Sequence, residues 1–137
     1  MQLQPYLTFD RQCRAAFESY QAVLGGQLSL VTHAESPAAA HAPPGMEDAI
    51  MHARLQVGDA VLMGSDAPPE YFTQPGGFSV TIAVDAVAEA ERIFAALAED
   101  GTVKMPLQET FWADRFGMFV DRFGTPWMVN CTGSKTT

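Results

Sequence analysis

The sequence predicts an α+β fold built from paired βαβββ modules, and a repeat carries that prediction. Near the start, "LQPYLTF" alternates as a strand and reaches Asp10, and "RQCRAAFESYQAVL" then follows and stops at Gly25-Gly26. Much later "FSVTIAV" reaches Asp85, and "AVAEAERIFAALAED" follows and stops at Gly101. Strand, aspartate, helix and glycine thus occur twice in the same order. Each helix is also followed by three further strand-like runs, which completes the second observation.

The elements can be justified in order. In the first helix Ala16, Phe17, Tyr20, Val23 and Leu24 recur at helical spacing. Asp10 reads as its N-cap. "QLSLVTH", "AIMHARLQV" and "AVLMGS" then read as strands, the last two joined by Gly58-Asp59, a two-residue hairpin signal. "AESPAAAHAPPG" has no periodicity, so the 35–47 loop reads as a mobile flap or disordered segment. "DAPPEYFTQPGG" divides the halves.

In the second helix Val87, Ala90, Ile93, Phe94 and Leu97 form the apolar stripe, with Asp85 as the expected cap. "TVKMPLQET", "GMFVD" and "TPWMVNC" follow, with a tight D-R-F-G turn between the last two. The expected bounds are 1–66 for the first module, 67–76 for the linker and 77–132 for the second module, all within one domain spanning 1–137. Neither half can bury both faces of its own sheet. The halves are therefore expected to share one curved mixed sheet with the helices on its outer face.

Composition narrows the function classes. At 137 residues, with 47% hydrophobic and 18% charged residues, the chain is globular and can bury a core without staples. Sixteen acidic against eight basic residues give a net charge of -8, which opposes nucleic-acid binding and weakly favours cationic ligands. No apolar run is long enough to span a bilayer, and "MQLQPYLTFD" does not read as a signal peptide. Cys13 and Cys131 fall in no metal or redox spacing, which points to a reducing cytoplasm.

Strand alternation predicts which side chains face a ligand. Met51, Ala53, Leu55 and Val57 should face the helix, leaving His52, Arg54 and Gln56 on the other face. Across the hairpin turn His52 should pair with Ser65, and Arg54 with Met63. In the second half Trp127 and Val129 should face the helix, while Phe116, Met118, Met128 and Asn130 share the free face. Ser79, Thr81 and Ala83 should join them, and by the repeat Gln4, Tyr6 and Thr8 correspond to those three. The expected result is a half-polar, half-apolar cavity wall suited to a small molecule.

"PYLTF", "FESYQAVLGG", "IMHARLQVGDAVLMGSD" and "DRFGTPWMVN", together with the module repeat, resemble the vicinal oxygen chelate superfamily. That superfamily includes glyoxalase I, fosfomycin-resistance proteins, extradiol dioxygenases and bleomycin-binding proteins, and the closer likeness is to its PhnB-like branch. The resemblance implies a homodimer. It also implies a divalent-metal site with one ligand from each of four strands, at positions best matched here by Gln4, Met63, Ser79 and Met128. An amide, two thioethers and a hydroxyl make a poor set for a hard ion, so no metal and no other cofactor is expected. Members of the branch have carried a methyltransferase label, but this sequence has no G-x-G strand-to-helix loop for a nucleotide-like cofactor.

His52 is the candidate catalytic residue, either as a general base or as a hydrogen-bond donor, with a purely structural place in the wall as the alternative. A rearranged metal site using His52 with Gln4, His33 or Asp66 is a further option. Arg54 can anchor a carboxylate, phosphate or phosphonate through its planar fork, or pair with an acidic neighbour. Trp112, with Phe111 and Phe116, can stack on a planar ligand, with core packing or a dimer contact as the alternative. Met63, Met118 and Met128 offer a soft, adaptable lining, or simply pack in the core. The candidate ligand-binding set is therefore Gln4, Tyr6, His52, Arg54, Met63, Ser79, Trp112, Phe116, Met118, Met128 and Asn130. The leading expectation is a metal-free small-molecule-binding protein whose ligand sits between the half-modules. A lyase or isomerase, or a protein-interaction subunit, are the alternatives.

Overall fold

The computed structural model describes residues 1–135. They contain two α-helices, two short 3-10 turns and eight strands in the order βαβββ–βαβββ. The chain separates into two compact units, one covering Met1–Thr73 and the other beginning at Gln74. Hydrogen bonding divides the strands into two mixed four-stranded sheets, one per unit, so the α+β paired-module architecture has a sheet in each module.

In the first module β1 (Tyr6–Phe9) lies parallel to β4 (Ala60–Asp66), while β3 (Ile50–Val57) runs antiparallel to both β4 and β2 (Gln27–Thr32). Helix α1 (Cys13–Leu24) covers one face. Its Ala16, Phe17 and Tyr20 are fully buried, as the helical spacing requires. Phe17 meets Tyr20 at 5.6 Å and Phe9 at 6.1 Å between ring centroids, both edge to face. The Phe17 ring also explains Gly64. A Cβ there would lie 2.8 Å from that ring and 2.7 Å from the Leu7 carbonyl oxygen, so any side chain would push the helix off the sheet.

The second module repeats the plan with β5 (Val80–Val84), α2 (Val87–Ala98), β6 (Thr102–Gln108), β7 (Arg115–Val120) and β8 (Pro126–Cys131). β5 is parallel to β8, and β7 pairs antiparallel with β6 and β8. Ala90, Ile93 and Leu97 of α2 are buried with Phe119, Trp127 and Val129 of the sheet. The Phe94 ring packs edge to face on Phe119 at 5.0 Å.

Both hairpins match their turn chemistry. Gly58, at φ 59°, opens the two-residue turn between the paired Val57 and Ala60. Arg122–Gly124 forms a three-residue loop closed by the Asp121 N–H donating to the Thr125 carbonyl at 2.9 Å, with Gly124 at φ 94°.

Three local expectations need correction. Asp10 and Asp85 do not cap the helices: the caps are Gln12 and Ala86, and neither makes a side-chain capping bond. At α1 the work passes to a distant carboxylate, since the Cys13 N–H donates to Asp66 Oδ1 at 3.0 Å. The 35–47 segment is tied down. Ser36 is buried and its hydroxyl donates to the His33 carbonyl, Met46 is buried, and Arg11 Nη2 donates to the Gly45 carbonyl at 2.6 Å. Finally, a bulge between Val31 and Thr32 shifts the start of β3, so Ile50 rather than Met51 is buried there.

No helix among the described residues is long and apolar enough to cross a membrane.

Candidate functional site

Each sheet has one face under its helix and one face free of it. On the first module's free face a row runs across three strands: Tyr6 on β1 is in register with Met63 on β4, which is in register with Arg54 on β3. His52 lies two residues before Arg54, with its ring centroid 6.0 Å from that of Tyr6 and the planes tilted by 32°. The structure therefore brings Tyr6, His52, Arg54 and Met63 together on one face. The β3–β4 ladder ends at Ala53–Gly64, one step short of the expected His52–Ser65 pair and in the same register; on its other side His52 is in register with Val31 of β2.

Arg54 is exposed and donates from Nη1 to Gln56 Oε1 at 3.0 Å. Among the described residues no carboxylate lies within ion-pair distance of its guanidinium. That decides against the acidic-neighbour alternative and leaves most of the donor fork available. The His52 imidazole has no hydrogen-bond partner among the described residues, only the Tyr6 ring contact.

On the second module's free face the corresponding row is Thr81, Met128 and Met118. One step along, Ala83, Asn130 and Phe116 are in register. Trp112 joins them through Phe116, with ring centroids 5.3 Å apart, and Phe111 packs on Trp112 at 4.8 Å. Thr110 shapes the loop that holds these two rings, its hydroxyl accepting from the Ala113 N–H at 3.1 Å. Asn130 Nδ2 donates to Thr132 Oγ1 at 3.2 Å.

Two candidates fall outside these clusters. Gln4 precedes β1, is exposed, and donates its amide to Gln2 Oε1 at 2.9 Å. Ser79 sits one residue before β5 and pairs with no strand. As a donor set for a hard divalent ion, Gln4, Met63, Ser79 and Met128 do not fit: thioethers are soft and neutral, and an amide and a hydroxyl alone bind weakly. Among the described residues no group of three or more His, Cys, Asp or Glu side chains is placed to share an ion. Asp66, a possible member of a rearranged site, has both oxygens engaged, by the Cys13 N–H and by the Ile50 N–H at 2.9 Å.

Cys13, Glu35 and Asp114 are set by structural contacts. Burial pushes the Cys13 thiol well above its ordinary range, so this fully buried cysteine is no nucleophile. Thr32, through its backbone N–H first and its hydroxyl second, holds the exposed Glu35 carboxylate below its ordinary value. Ser134 does the same for Asp114, again through its backbone N–H before its hydroxyl.

Sequence reasoning missed Asp121, and it named Asp66 only as a metal-site candidate, missing its structural role. Asp121 is buried and accepts from the Phe123 and Thr125 N–H groups, both at 2.9 Å, and from Trp127 Nε1 at 2.8 Å. The D-R-F-G-T-P-W run carried a signal for it, because an aspartate opening a tight turn can accept the turn's own amides. Asp66 had no such local signal, since its partner Cys13 lies 53 residues away.

Comparison with known proteins agrees with the fold. A family model described as 3-demethylubiquinone-9 3-methyltransferase matches residues 1–130. The chain belongs to this family. It is 37% identical to Protein YjdN of Escherichia coli K12 over 146 aligned positions, covering 100% of this chain and 99% of that protein.

Among solved structures, protein PA1353 from Pseudomonas aeruginosa is 51% identical with a TM-score of 0.89, covering 96% of this chain and 97% of the other. A putative PhnB protein from Bacillus cereus is 23% identical with a TM-score of 0.78, over 96% and 99% of the two chains. A glyoxalase/bleomycin resistance protein/dioxygenase family enzyme from Burkholderia phytofirmans shares the fold alone, at 16% identity and a TM-score of 0.62, over 93% and 96%.

Proposed function

We propose that this PhnB-like protein binds a small molecule without a metal ion, and that the free faces of its two sheets are the ligand-contacting surfaces. The observation that carries the proposal is the Tyr6–Met63–Arg54 row with His52 beside it. A guanidinium with no carboxylate partner among the described residues, bordered by two rings and a thioether, suits an anionic group carried on a flat apolar body. The second face supplies Phe116, Met118, Met128, Asn130 and Trp112, a softer and less charged surface. Gln4 and Ser79 stay at the margins of the proposed contacts.

Methyl transfer, the activity in the family's description, is a weaker reading for this chain. The sequence offers no glycine-rich strand-to-helix turn to hold a nucleotide-like methyl donor. A homodimer in the cytoplasm belongs to the same proposal, and light scattering on the purified protein reads the oligomeric state.

The test combines metal content with thermal melting. Metal-free protein is expected, with melting curves unmoved by zinc, nickel, manganese or iron(II) and shifted upward by benzoate or phenylphosphonate. Near-stoichiometric metal with a chelator-sensitive melting temperature would overturn the proposal.

One observation favours a second reading, in which the protein is an enzyme with His52 as general base. Its imidazole has no hydrogen-bond partner among the described residues and so is available to a bound substrate. A His52→Ala variant that keeps ligand affinity but loses turnover would establish that reading; absence of turnover on any bound ligand would remove it.

A further inference from the structure

Among the described residues, Asn130 Oδ1 on the second module's free face is the buried side-chain polar atom without a hydrogen-bond partner. The other end of its amide is already engaged with Thr132 Oγ1. Buried acceptors are nearly always met by a donor, because water is lost on burial and must be replaced.

The neighbours in register supply none. Phe116 lies across the β7–β8 ladder and Ala83 across the β5–β8 ladder, one a hydrocarbon ring and the other a methyl group. One row along, Met118 faces Met128, and the Trp112 ring stands edge-on to Phe116. The strand positions around this acceptor thus carry an aromatic ring, a methyl group and, one row along, two thioethers, groups that favour flat, polarizable partners.

We infer that Asn130 Oδ1 is the polar anchor of a subsite for a flat heteroaromatic ring bearing an N–H donor. The ring lies against Phe116, Trp112 and the methionine pair while its N–H donates to the amide oxygen. The inference rests on the small-molecule reading and names the ligand class for this face. It also gives the ligand's expected sign there: a donor group, neutral or cationic, consistent with the net charge of -8.

A matched pair of probes tests it. Indole and benzofuran have nearly the same size and shape, but only indole carries an N–H. Titrations are followed by the Asn130 side-chain amide and the Trp112 indole N–H in proton–nitrogen spectra of the full chain. Indole is expected to bind about tenfold tighter than benzofuran, the scale of one buried hydrogen bond made or left unmade. The preference should vanish in Asn130→Leu. It should persist in Trp112→Leu, where both probes weaken together, which keeps the test independent of how well the first variant folds.

Equal binding of the two probes at this face overturns the inference while leaving the small-molecule reading standing. A preference for benzofuran also overturns it, since the amide would then present its nitrogen. If neither these probes nor benzoate nor phenylphosphonate perturbs either face, the inference and the binding reading fail together.

Discussion

The two modules repeat one strand order in separate sheets and use it differently. Each holds one of the two buried aspartates, Asp66 and Asp121, yet the two carboxylates do unrelated work. Asp66, at the end of β4, joins the start of α1 to the start of β3 by accepting one N–H from each. Its register equivalent in the second module is Cys131, opposite Val84 as Asp66 is opposite Phe9. There α2 starts without any side-chain cap. The second module places its aspartate in the hairpin turn instead, where Asp121 holds the loop and the Trp127 indole.

The free faces diverge in the same manner. The Tyr6–Met63–Arg54 row of the first module becomes Thr81–Met128–Met118 in the second. The helix-facing side of a repeat is held by packing. The free side is at liberty to specialise, one copy toward charge and the other toward soft apolar surface.

Breaking the comparison at Asp66 should have the largest effect. Asp66→Ala leaves two buried N–H groups without their charged acceptor, and should cost about 3–5 kcal/mol in urea denaturation. If the loss is under about 1 kcal/mol, the long-range cap is not what holds α1 to this sheet. Asp121→Asn comes next. It keeps an oxygen for the two turn amides but sets a nitrogen against Trp127 Nε1, and about 2 kcal/mol should be lost. A cost equal to that of Asp66→Ala would erase the distinction between a carboxylate that joins elements and one that closes a turn.

Converting one face toward the other tests function rather than stability. Arg54→Met gives the first row the character of the second. Melting should change little, since an exposed side chain without an ion pair contributes within about 0.5 kcal/mol. Affinity for phenylphosphonate should fall about tenfold or more, as expected for removing a charge-assisted contact. Unchanged affinity in calorimetry would move the anion site off this row.

Much of the fold was legible because it rests on local rules. Helical spacing placed Ala16, Phe17 and Tyr20 inside, and strand alternation placed Trp127 and Val129 against α2 with Met128 and Asn130 on the opposite face. The Gly58-Asp59 turn fixed the Arg54–Met63 register within one hairpin. What failed depended on distant or irregular partners. Asp10 looked like a cap because nothing nearby revealed that Asp66 would serve from another strand. The bulge at Val31/Thr32 broke the alternation that placed Met51, and no residue type announced it. The 35–47 loop looked unstructured by composition, yet its order comes from Met46 burial and the Arg11–Gly45 bond, both tertiary. At the site, the face of each candidate inside a strand was readable, though Gln4 and Ser79 fell outside the strands; the freedom of Arg54 from carboxylates among the described residues and the orphan oxygen of Asn130 are properties of the assembled neighbourhood.

The smallest effect concerns a device present only after the second module's last strand. Asp114, just before β7, accepts from the Ser134 N–H at 2.8 Å and the Ser134 hydroxyl at 2.7 Å, fastening the chain beyond β8 to the base of β7. Those bonds favour the ionised carboxyl and depress its pKa below the ordinary 3.8. The sign of the linkage follows: a depressed carboxyl adds stability that is complete above the ordinary value, and it is lost as pH falls through the lowered one. Melting temperature measured from pH 5 downward should therefore drop slightly less steeply in Asp114→Asn than in the parent, because the variant has no charge there to lose. Ser134→Ala keeps the backbone donor, the larger of the two causes, and should retain most of the parent's slope. If both variants follow the parent curve throughout, the tether contributes nothing to acid stability, and the pH dependence of this module belongs to other carboxylates.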